Sequence, residues 1–217
     1  MLVYKRNQVE SAIARMFDRA SGAAHTELRT RLKRLLETDR AVGRSSRSAD
    51  PGKANFAFFG EESPGTGADV WFSAYEAFAL LTAWRLLEHG WPQASAVTIL
   101  RQARPVLEPE HKRILKLDHQ NVFDSKRVQE LARPGAPALE TPNPVFLVIS
   151  SINVNPRGAD ADARSIEIHR DEKALMFALH RQPGLTFTIY ELVEAAHKLH
   201  VHLEQTEPSK RGRGSRR

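Results

Sequence analysis

Three histidines stand close together near the C-terminus: His197, His200 and His202 in the run HKLHVH, with Glu194 shortly before them. Imidazole nitrogens and carboxylates are common transition-metal ligands, so the run raises a metal question. On a helix, His197 and His200 share a face while His202 points elsewhere. No HExxH pattern, no supporting pair of carboxylates and no cysteine accompanies them. The reading is therefore solvated or interface histidines, without metal or cofactor. A second run, GEESPGTG at 60–67, is glycine-rich like a phosphate-binding loop. It lacks the Lys-Ser/Thr of a P-loop and precedes a strand-like run rather than a helix, so nucleotide binding is not expected. No Gly-x-Ser-x-Gly elbow appears, and the chain is not expected to be an enzyme.

The chemistry that remains is charge. The net charge is +6 over 217 residues, but it is unevenly placed. Residues 1–53 hold 12 Lys/Arg against 6 Asp/Glu, and residues 205–217 hold 5 against 1. The stretch between is mildly acidic. Basic ends on an acidic middle fit a polyanionic partner, most often nucleic acid. The zero cysteines remove disulfides and thiolate chemistry and agree with a cytoplasmic protein. No stretch approaches the length of a membrane span, and the start, MLVYKRNQVE, turns polar at once, unlike a signal peptide.

The elements that would position these charges are mainly helical. Val9, Ile13, Met16 and Phe17 form a stripe that predicts a helix over 7–19, with Asn7 and Glu10 as a loose capping pair. Leu28, Leu32, Leu35 and Leu36 predict a second helix over 26–42, capped by Thr26 and closed by Gly43. Its other faces are basic. A flexible basic loop follows at 43–54. The runs NFAFF (55–59) and ADVWF (68–72) read as a hairpin around the glycine-rich turn, with Gly65 to Gly67 at its tip. Ser73 and Glu76 form a capping box for a helix over 74–89, apolar on so many sides that a core, and a partner chain, are expected to cover it. Gly90 ends it, Pro92 starts the next helix, and Pro105 is expected to stop that one, with a short helix at about 108–118 beyond.

The run RPGAPALETPNP then resists regular structure and reads as a linker. Strands are expected at 145–151 and 163–170, a helix at 171–182, and a longer helix over 186–206. The fold class is thus mainly α with a small β-hairpin wing, a winged-helix-like head, plus a small α+β C-terminal module. The domains expected are a head over 1–118, a linker over 119–144, a dimerisation or sensing module over 145–206, and a disordered basic tail over 207–217.

The order helix, basic helix, hairpin, capped helix, Gly-hinged helix in the N-terminal half resembles the MerR-type transcription regulators. Trp71-Phe72-Ser73 with Glu76 looks like the family's entry into its third helix. Leu86-Leu87-Glu88-His89-Gly90-Trp91-Pro92 looks like the break after it, and Tyr4 sits where the family has an aromatic. The resemblance implies that the second helix enters the major groove and the hairpin wing lies on the backbone. It implies a sequence-specific transcriptional regulator of double-stranded DNA.

The candidate DNA-binding residues are Lys5, Arg6, Thr26, Arg29, Thr30, Lys33, Arg34, Arg40, Arg44, Arg47 and Lys53. Those near the start of the second helix, with His25, would read bases, and the others would meet phosphates. A homodimer is expected, because one small head reads few base pairs. Two rivals stand beside this reading. One is a protein–protein adaptor or antitoxin-like regulator whose basic ends meet an acidic partner. The other is a mobile-element enzyme that cuts DNA with a carboxylate-bound metal.

Overall fold

In a computed structural model, the described residues are 2–60, 70–118, 122–131, 139, 141–151, 163–181 and 184–207. The protein is mainly helical with two small antiparallel sheets. Strand β1 (Val3–Lys5) leads into α1 (Arg6–Met16) and α2 (Gly22–Val42). A short turn of helix, α3 (Pro51–Ala54), precedes β2 (Trp71–Ser73), α4 (Ala74–Glu88), α5 (Gln93–Ile114) and α6 (Ser125–Leu131). The remaining elements are β3 (Phe146–Ser151), β4 (Ala163–His169), α7 (Glu172–His180), β5 (Thr186–Glu191) and α8 (Val193–Glu204).

Helix α4 is the hub. Its Ser73–Glu76 capping box is formed, and nearly every side chain from Tyr75 to Leu86 is buried. Helices α2, α5 and α8 pack around it within one chain. The apolar surface that suggested a partner chain is therefore covered internally. Gly90 (φ +89°) ends the helix and Gly43 (φ +68°) ends α2, each with a positive φ that glycine adopts without strain.

Strand β3 is central in the sheet β4-β3-β5, antiparallel to both neighbours. Alternation splits it: Leu147 and Ile149 join the main core, while Phe146 and Val148 face α7 and Leu175. The main core also takes Tyr190 from β5 and Val193, Ala196, Leu199 and Leu203 from α8. One core thus runs through both the 1–118 and the 145–206 segments. The tie is reinforced where the Gln8 side-chain amide donates to the Thr206 carbonyl at 2.8 Å.

The hairpin does not form: residues 55–59 are irregular, and β2 pairs with β1 in the register Lys5↔Trp71, Tyr4↔Phe72, Val3↔Ser73. Phe56, Phe58 and Phe59 are core residues, and the amides of Ala57 and Phe58 donate to the Asp39 carboxylate instead of to a strand. The expected tip at Gly65 to Gly67 lies outside the described residues, as does most of the expected linker at 133–144 and the tail from 208.

Pro105 does not stop the helix after Pro92; α5 runs through Pro105 and Pro109 to Ile114. Both prolines are exposed and one turn apart, while Leu100, Ala103, Leu107 and Ile114 hold the other side of the helix in the core. The long C-terminal helix is two elements. Thr186, Phe187, Thr188, Ile189 and Tyr190 are β-branched or aromatic and pair with β3. The half-buried Glu191 carboxylate then accepts from the Val193 and Glu194 amides, both at 2.8 Å, and starts α8. Finally, α2 begins at Gly22 and not at Thr26, whose hydroxyl donates back to the Gly22 carbonyl inside the helix. Helix α1 begins at Arg6, with Gln8 in the capping role expected of Glu10.

Candidate nucleic-acid interface

The basic segment is α2 and the loop after it. Leu28, Leu32, Leu35 and Leu36 bury one face, which leaves the cations on the rest. The same stripe continues to Asp39, a carboxylate fully buried against the core. Burying a carboxylate is costly without compensation. Its partner is Arg101, which lies among the apolar residues of α5 and is 1% exposed. The Arg101 Nε donates to Asp39 Oδ1 at 2.6 Å, and Nη2 donates to the Asp39 carbonyl at 2.6 Å. Nη1 donates to the Gly43 carbonyl at 2.7 Å and the Gly52 carbonyl at 3.3 Å.

One guanidinium therefore holds both ends of the loop that carries Arg44 and Arg47. The Ser45 amide donates to the Lys53 carbonyl at 2.8 Å and narrows the loop further. Asp50 accepts from the Gly52 amide at 2.9 Å and caps α3, with Pro51 in the first turn. A second arginine, Arg104, donates to the Phe56 and Phe59 carbonyls, pairs with Glu108 at 3.0 Å and lies over the Tyr75 ring. Residues 43–59 are thus fixed to α5 from beneath by two arginines.

The eleven predicted residues divide into two sets. Arg6 and Arg29 both donate to the buried Glu10, at 2.6 and 2.8 Å. Lys33 lies 3.6 Å from Glu37. Thr30 donates its hydroxyl to the Thr26 carbonyl at 2.8 Å, and Thr26 spends its own on Gly22. Lys5 lies over the Trp71 ring and Arg40 over the Phe59 ring. The side chains expected to read bases are therefore largely engaged within the protein. Arg34, Arg44, Arg47 and Lys53 are exposed, and no carboxylate among the described residues pairs with them.

Three of the engaged cations line one flank of α2, and Arg34 stands about 100° round the helix from Lys33. Arg29, Lys33 and Arg40 fall at spacings of four and seven, which puts them on one side of the helix. Glu10 links that flank to Arg6, which follows Lys5 in sequence, and the loop comes after Arg40 in the chain.

Sequence reading missed Arg101, Asp39 and Arg104. A signal was present: an Arg and an Asp each interrupt the apolar stripe of a helix, with opposite charge. His197, expected to be solvated or at an interface, is instead buried within the chain. His197 Nε2 lies 3.1 Å from the Ile114 carbonyl, and His200 pairs with Glu204 at 3.3 Å. Among the described residues, no group of His, Asp or Glu is arranged to hold a metal ion. His111 is buried against Phe78 and Tyr75; burial, with His200 and His197 nearby, depresses its pKa to about 4. Among the described residues, no helix is long and apolar enough to cross a membrane.

No protein-family model matches the chain, and no curated protein matches it.

Proposed function

We propose that the protein is a DNA-binding regulator that grips the sugar–phosphate backbone with the outer side of α2 and the loop behind it. The observation that carries this reading is the set Arg34, Arg44, Arg47 and Lys53: four exposed cations without a described carboxylate partner. Three of them stand in a segment clamped by a buried arginine. A cation on a pre-ordered loop loses little conformational entropy when it meets a phosphate. The engagement of Arg29, Thr30 and Lys33 within the protein favours phosphate contacts over base readout for α2. The reading needs one chain only, since the apolar surface of α4 is buried inside it.

The test is binding of random genomic duplex fragments, followed by fluorescence anisotropy at two salt concentrations against unrelated competitor DNA. About four phosphate contacts give a slope of log affinity against log salt of about −3 to −4. Enrichment of particular fragments would support a sequence-specific regulator. Salt-insensitive binding, or none, would favour the adaptor reading.

A further inference from the structure

The protein has three tryptophans, and only Trp71 is open to solvent. Trp84 and Trp91 are buried, while Trp71 is 49% exposed. Its position is fixed: β2 pairs with β1, the inward side chains Tyr4 and Phe72 are buried, and the alternation sends Trp71 outward beside Lys5. The Lys5 ammonium lies 5.2 Å from the ring centroid. Arg6 follows in sequence and shares the Glu10 carboxylate with Arg29. From Arg29 the flank of α2 runs on to Arg40, about 16 Å away at the helical rise. The indole thus stands at one end of the cation track proposed above.

An exposed aromatic at the end of a cationic track suits a partner with both a π-face and a negative backbone. A second copy of this chain suits it poorly. Two copies meeting through this face would set Lys5 and Arg6 against their own counterparts. A base within an intact duplex presents no free face, so the base must be unpaired.

We propose that Trp71 stacks on a base of a single-stranded stretch of DNA whose phosphates run along Lys5, Arg6 and the α2 flank. This rests on the DNA-binding reading and names the form of DNA that the N-terminal end of the track takes. Stacking on aromatic side chains is tolerant of sequence and is a common element of single-strand recognition.

The experiment uses the full chain with a fluorescein-labelled twenty-nucleotide oligo-dT and a labelled duplex of the same length. Anisotropy reports binding; intrinsic tryptophan emission, read with unlabelled DNA, reports stacking. The expected result is that oligo-dT binds and quenches part of the emission, the duplex binds with little quenching, and the quenched part is missing in Trp71→Phe. Trp71→Ala is expected to weaken oligo-dT binding about tenfold and to leave duplex binding unchanged. Trp71→Phe keeps an aromatic at the site if the alanine variant folds poorly. Oligo-dT binding without quenching, or equal oligo-dT affinity in Trp71→Ala, would overturn the stacking and leave the DNA-binding reading standing. Binding of neither DNA would overturn both.

Discussion

Arg101 of α5 and Asp39 of α2 meet at 2.6 Å with both side chains out of solvent, and the same guanidinium holds the Gly43 and Gly52 carbonyls. The pair joins two helices and fixes the basic loop at once. It links the packing of the core to the placement of the surface cations.

Removal of one partner leaves the other charge buried. Asp39→Ala is expected to cost about 3–5 kcal/mol in urea denaturation. It also strips the Ala57 and Phe58 amides of their acceptor. Asp39→Leu combined with Arg101→Met should recover part of that loss, because both groups then suit an apolar site. A cost below 1 kcal/mol for Asp39→Ala would mean that the carboxylate is not buried as described.

Trp84 is the largest fully buried side chain, and its indole contacts Phe17 at 4.3 Å between ring centroids. Trp84→Ala should destabilise by about 3–5 kcal/mol. The same denaturation measurement checks it, and a loss below 1 kcal/mol would contradict the packing of α4.

The buried His111 makes stability depend on acid. Its pKa is about 4 in the folded protein against an ordinary value of 6.5. The unfolded chain therefore binds a proton that the folded one refuses between those values. The stability it contributes is full above about pH 6.5 and falls as pH falls towards 4, by on the order of 3 kcal/mol. Thermal melting across that window should show the decline, and His111→Phe should flatten it. An equally steep decline in His111→Phe would place the acid sensitivity elsewhere.

Much of this architecture was legible in the sequence. The stripes of α1, α2 and α4, the Ser73–Glu76 box and the strands at β3 and β4 all follow from periodicity and capping. The misplaced elements share one cause: tertiary partners overrode local signals. Phe56 to Phe59 are β-prone, yet Asp39 takes their amides. Pro105 breaks helices, but the packing of Leu100, Ala103 and Leu107 in the core carries α5 through it. Thr186 to Tyr190 carry a helix-like spacing, but β3 offers them a ladder. For the site, the basic residues were legible by composition alone. Their division into engaged and unpaired sets was not, because the Arg29–Glu10 pair and the Lys5–Trp71 and Arg40–Phe59 contacts exist only in the fold.

On the proposed function, the clamped loop holds DNA by its phosphates. The most direct measurement is the salt slope of duplex binding for the natural chain and for the Arg44→Ala, Arg47→Ala, Lys53→Ala triple variant. All three side chains are exposed, so the melting temperature should be unchanged. Weaker binding and a slope shallower by about 3 are expected in the variant. An unchanged slope with an intact fold would contradict the proposed function.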